Sequence, residues 1–165
     1  MKKTNLLLIL GSAASIVCGC ANSPATGNEA LLSKQEDFVN LLNVKNVPLQ
    51  ERHYGAYVFS DMGAWSSYAL PENEGYEYCG SFIGPMVMTG RGWIAATLAQ
   101  PSIKVNDNEF DLERNIQTAK YLPGKLIQEF NNKDIHFTTE LCFATNRTAV
   151  VRSVIKNVSD QPMHI

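Results

Sequence analysis

Between residues 135 and 144 the chain reads IHFTTELCFA, and its side chains sort by every second position. Phe137, Thr139, Leu141 and Phe143 fall on one side, and His136, Thr138, Glu140 and Cys142 on the other. A period of two with one greasy side marks an antiparallel strand that buries a single face. The neighbouring segments repeat the arrangement. Asn131-Asn132-Lys133 joins this strand to an apolar run at 125–130, and Thr145-Asn146-Arg147 joins it to another at 148–157. Earlier, Ile103-Lys104-Val105 and Glu109-Phe110-Asp111-Leu112 flank Asn106-Asp107-Asn108, residues that tolerate left-handed turn geometry. Earlier still, Gly90-Arg91-Gly92 separates strand-length runs at 81–89 and 93–99. From Arg52 onward the pattern therefore predicts an all-β domain, an antiparallel β-sandwich.

The last of these strands is less regular. Ala149, Val151 and Ile155 face one way with Ser153, while Val150 and Val154 face the other with Arg152 and Lys156. Apolar side chains on both faces fit a sheet covered on both sides, or one that still awaits a partner.

Residues 59–98 hold both tryptophans, Trp65 and Trp93, three of the six tyrosines and a run of glycines. Two readings stand for that density. The rings fill a sheet core and the glycines mark turns, or the rings form a stacking surface for flat, hydroxyl-rich ligands such as sugars. On the second reading the candidate substrate-binding residues are Asp61, Trp65 and Tyr68. Asp61, beside Gly63 and Trp65, has a turn-capping role as its alternative. Glu72, Glu74 and Glu77 lie in a Pro/Gly/Asn-bearing loop without the apolar pocket a general acid needs, and read as a solvated acidic loop.

The order of residues adds a resemblance. Phe59-Ser60-Asp61-Met62-Gly63-Ala64-Trp65, then Leu70-Pro71, then Gly80-Ser81-Phe82-Ile83-Gly84-Pro85 resembles the start of the N-terminal β-domain of bacterial family 63 glycoside hydrolases. Tyr121-Leu122-Pro123-Gly124-Lys125-Leu126-Ile127-Gln128 and Leu141-Cys142-Phe143-Ala144-Thr145-Asn146-Arg147-Thr148 continue it in the same order. The resemblance implies a processing α-glucosidase in which a large two-sheet sandwich precedes an (α/α)6 barrel. Such enzymes look like inverting glycosidases, whose general acid and base sit about 6.5–9.5 Å apart. In the family both carboxylates come from the barrel, which implies that this chain carries no catalytic residue. The implied partners are an oligosaccharide or α-glucoside substrate and the missing C-terminal barrel. Because the family's sheet continues where this chain reads Gln161-Pro162-Met163-His164-Ile165, residues 51–165 are expected to be a partial domain, an incomplete supersandwich. The alternative is a stand-alone carbohydrate-binding surface lipoprotein that stacks sugars on Trp65, Tyr68, Tyr76 and Tyr78.

The N-terminus supplies an address. Lys2 and Lys3, the apolar run at 6–10 and small residues at 11–15 read as a secretory signal whose hydrophobic stretch is too short to span a bilayer. It ends at Val17-Cys18-Gly19-Cys20, similar to a lipobox, so residues 1–19 are the expected signal peptide and Cys20 the lipidated residue. Residues 20–50 then form a tether and a short helix at 31–42. This places the chain in a bacterial cell envelope, anchored to a membrane, with an outer-membrane destination. Without the signal, the 14 basic residues lose Lys2 and Lys3, leaving 12 against 16 acidic ones, a balance of −4. That charge argues against a nucleic-acid partner. Cys79 and Cys142 are left to pair or stay free, and no His/Cys spacing offers a metal site or implies a cofactor.

Overall fold

The computed structural model describes residues 38–48, 57–72, 78–90 and 92–165. The signal peptide, Cys20, the tether, Glu74, Tyr76 and Glu77 lie outside the described residues. So does most of the expected helix, but its last residues, 38–42, form a turn and a bend instead. Asn40 explains the departure. At φ 53 it donates its backbone N–H to the Tyr121 carbonyl and accepts the Tyr121 N–H on its side chain, both at 2.9 Å. Both bonds engage the backbone of one residue in an edge strand, a geometry that a continuing helix does not offer.

The fold is the expected all-β, antiparallel, sandwich-like domain. Its first sheet contains β1 (Lys45–Asn46), β2 (Ser66–Pro71), β3 (Phe82–Val87), β4 (Gly92–Trp93) and β5 (Thr97–Leu98). β1 runs parallel to β2, and Val44 just before it is buried, so the folded domain takes in residues ahead of 51. A small hairpin, β6 (Lys104–Val105) and β7 (Asn108–Glu109), turns through Asn106 and Asp107 at φ 49 and 65, as the sequence predicts. Where that hairpin was expected to run on to Leu112, a one-turn helix α1 (Leu112–Asn115) starts instead. Asp111 caps it by accepting the Arg114 N–H at 3.0 Å.

The second sheet is an antiparallel meander of β8 (Ile116–Leu122), β9 (Lys125–Asn131), β10 (Ile135–Thr145) and β11 (Thr148–Asn157). Along β10, Ile135, Phe137, Thr139, Leu141 and Phe143 are buried and the residues between them are not, which is the predicted alternation. Strand register lines these side chains up in rows across the sheet. One row is Tyr121, Leu126, Leu141 and Val151; a second is Ile116, Phe130, Phe137 and Ile155. Between them lies a row of Ala119, Gln128, Thr139 and Ser153.

That middle row divides the core. On one side Val44, Phe59, Tyr68, Leu70 and Phe82 of the first sheet and its approaches pack on Leu126, Leu141 and Phe143. On the other, Cys79, Ile103 and Phe110 pack on Phe130, Ile135 and Phe137, with Phe130 and Phe137 stacked at 5.5 Å. Gln128, fully buried, crosses the gap. Its Oε1 accepts the Gly80 N–H at 3.1 Å and its Nε2 donates to the Ser81 carbonyl at 2.7 Å, so one amide joins β9 to the entrance of β3.

The two outer faces differ. That of the second sheet is polar, with Lys120–Glu129, Lys125–Glu140 and Arg152–Glu140 ion pairs at 3.7, 3.5 and 3.2 Å. On the first sheet, the register shifts by one residue on β3 between Ile83 and Met86. This extra residue puts Met86, rather than its neighbours, beside Ser67 on the outer face. Gly84 sits in the bulge at φ 122, where an added Cβ would lie 2.8 Å from the Ser67 carbonyl.

Candidate functional site

The described loops converge at one end of the sandwich. Residues 61–65 form a tight turn in which the Ala64 N–H bonds the Asp61 carbonyl at 2.9 Å and the Met62 N–H bonds Asp61 Oδ1 at 2.7 Å. Met62 and Gly63 both take left-handed backbone angles, φ 55 and 66. Glycine is at ease there and methionine is not, so the surrounding bonds hold Met62 in place. Gly124, in the β8–β9 turn, approaches from the second sheet: a Cβ on it would stand 3.8 Å from Asp61 Oδ2.

Trp65 follows this turn and is held from both sides. Its N–H donates to the Asn146 carbonyl in the β10–β11 turn at 3.3 Å, and its own carbonyl accepts the Met88 N–H at 3.0 Å. Its backbone is thus tied to both sheets while its side chain remains 65% exposed. Met62 and Met88 are also exposed, at 60% and 45%, and so is Asp61. An exposed, anchored indole can cover the apolar face of a ligand, and an exposed carboxylate in the preceding turn can accept a hydroxyl hydrogen.

Asp61 and Trp65 are therefore brought together, and Tyr68 is not. Tyr68 is 6% exposed, with its ring 5.8 Å from that of Phe143. Alternation along β2 turns it inward, so it is a core residue and is withdrawn as a stacking surface. Asp61 also performs the turn-capping role, through Oδ1, while Oδ2 lies on the side of Gly124. Tyr78 is half-buried, and its carbonyl accepts both the N–H and the hydroxyl of Ser81. Glu72 is exposed at the end of β2. Met62 and Met88 escaped the sequence reading. Met88 comes into place only through the β2–β3 pairing, which its N–H bond to the Trp65 carbonyl continues one step past Ser66 and Val87.

A hollow of about 440 Å³ lies by α1. Its floor includes Cys79, Ile103 and Phe110, and its rim includes Glu109, Asp111 and Glu113. Burial pushes the Cys79 thiol above the ordinary thiol range, and the charges of Glu113 and Asp111 push it further. A thiol held protonated in this way is a poor nucleophile. Cys79 and Cys142 are both free, the first buried and the second exposed. Among the described residues no three His, Cys, Asp or Glu side chains gather to hold a metal ion.

The family model described as Glucosidase YgjK, N-terminal matches residues 45–165, from β1 through β11 and beyond. It spans the Asp61–Trp65 turn, the Gln128 bridge and both sheets, and its description names the N-terminal part of a glucosidase. With most of its length matched, the chain belongs to the family of N-terminal domains of YgjK-type glucosidases.

Proposed function

We propose that this chain is the N-terminal domain of a lipid-anchored α-glucosidase-type enzyme of the family 63 kind, and that it places Asp61 and Trp65 beside the sugar path. On this reading it supports an (α/α)6 barrel that supplies both catalytic carboxylates. Its partners are that barrel, an α-glucoside or oligosaccharide, and a bacterial outer membrane reached through an acyl chain on Cys20.

The observation that carries the reading is the anchored exposure of Trp65. An indole fixed to two sheets yet left in water gains stability when a sugar face or a second domain covers it. The alternative, a stand-alone carbohydrate-binding surface lipoprotein, draws on the same ring and on the two filled core clusters.

Calorimetric titration of the full chain with maltose, set against Trp65→Ala, tests the sugar contact. The expected result is a measurable heat that the variant loses at unchanged melting temperature. Equal titrations of the two proteins refute the role of Trp65. For the anchor, Cys20→Ser is expected to abolish incorporation of labelled palmitate in cells, and undiminished incorporation refutes lipidation at Cys20.

A further inference from the structure

Trp65 does not stand alone on the outer face of the first sheet. The register sets Ser67 opposite Met86 and Met86 opposite Trp93, so all three point the same way across β2, β3 and β4. Trp65 precedes Ser67 by two residues and bonds Met88, which follows Met86 by two, so Trp65 and Met88 form the next row of that face. Both tryptophans of the chain thus share one face, on strands separated by β3 alone. Two inter-strand spacings and an offset of two residues put their Cα atoms about 12 Å apart on a diagonal. That backbone spacing is longer than one pyranose ring, which favours a ligand of more than one sugar unit. Ser67 and Met86 on this face are buried, so its accessible part consists of Trp65, Met88 and the half-buried Trp93. Asp61 and Thr89 are exposed polar residues near the Trp65 end.

We propose that Trp65 and Trp93, with Met88 between them, form a two-ring platform that takes a linear oligosaccharide lying obliquely across β2, β3 and β4. The inference rests on the sugar-contact reading above and adds ligand length and a second ring to it. Trp65 stacks on one unit and Trp93 on another farther along, while Asp61 accepts a hydroxyl at the Trp65 end. Each ring covered by a sugar face is worth about tenfold in affinity.

Tryptophan fluorescence and calorimetry on the full chain, titrated with maltose and maltotetraose and with the isomalto and cello pairs, test the platform. For at least one pair the tetraose is expected to bind about tenfold tighter than the disaccharide. Trp93→Ala is expected to bring the tetraose down to the disaccharide while leaving the disaccharide unchanged; Trp65→Ala weakens both. Because Trp93 is half-buried, Trp93→Leu is measured beside it, with the circular dichroism spectrum of each variant as the control for folding. If wild type binds disaccharide and tetraose equally, the platform is overturned and the single Trp65 contact survives. If no sugar of the panel binds, both readings fall.

Discussion

Replacing Gln128 with leucine removes one side chain and strands two backbone groups. The Gly80 N–H and the Ser81 carbonyl are buried, and each has its bond to the Gln128 amide as the link between sheets. An unsatisfied buried group costs about 1–3 kcal/mol, and the extra apolar burial of leucine returns about 1–2 kcal/mol. With two groups stranded, the central values leave Gln128→Leu less stable by about 2–3 kcal/mol. Gln128→Glu adds a sign. Its protonated carboxyl reproduces both bonds, donating to Ser81 and accepting from Gly80, whereas the ionised form repels the Ser81 carbonyl and places a charge in the core. Its folded-state pKa thus rises above the unfolded value of about 4.3. A raised pKa means the folded state binds the proton more tightly, so the variant keeps its stability below that pH and loses it as pH rises through the folded pKa. Urea denaturation of the full chain, followed by circular dichroism at pH 4 and pH 8, reads both effects. A leucine variant within about 0.5 kcal/mol of wild type, or a glutamate variant whose pH dependence parallels wild type, refutes the bridge.

Tyr68→Ala should cost about 3 kcal/mol in the same assay, because it empties a ring site against Phe143, while Trp65→Ala should shift stability by less than about 0.5 kcal/mol. A reversal of that order would put the core on the wrong face of β2. Gly80→Ala should lose at least about 2 kcal/mol, since the residue holds φ +82 and a Cβ would stand 2.7 Å from Pro101 Cγ; a neutral result contradicts the close approach. Iodoacetamide at pH 8 should modify Cys142 promptly and Cys79 only on unfolding, read by peptide mass, and equal rates would contradict the burial of Cys79. As the Cys79 pKa is raised, its contribution to stability is present below the unfolded thiol pKa and lost as alkaline pH passes the folded one.

The strands that were legible from the sequence were those whose burial is decided on one sheet. β10 shows its period of two because one face meets the core and the other meets ion-paired side chains, and the Asn-rich turns on either side fix its ends. β11 was ambiguous for a reason the fold supplies. It is an edge strand, so Val150 and Val154 sit on an outer face less crowded than the middle of the sheet. β8 is hard to read although Ile116, Thr118 and Tyr121 favour extended chain, because most of its residues are only half-buried and its alternation is weak. The expected extension of the hairpin through Asp111 and Leu112 fails because the Asp111 cap depends on a local hydrogen bond rather than on periodicity. Tyr68 and Trp65 looked alike as aromatic residues near glycines. Only the parity of β2, three residues apart on opposite faces, separates a core ring from a surface one.

That parity also explains why Asp61 and Trp65 are held so firmly in an otherwise exposed loop. The two bonds on the Trp65 backbone end on different sheets, one at Met88 and one at Asn146. The indole keeps its place only while the sheets keep their offset. The offset in turn is set by two apolar clusters that resist sliding only as far as side-chain shape allows, and by the Gln128 amide, whose bonds to Gly80 and Ser81 have a direction. A leucine at 128 would fill the same volume but leave the offset to packing alone. The buried glutamine thus belongs to the geometry of the exposed tryptophan as well as to the stability of the core.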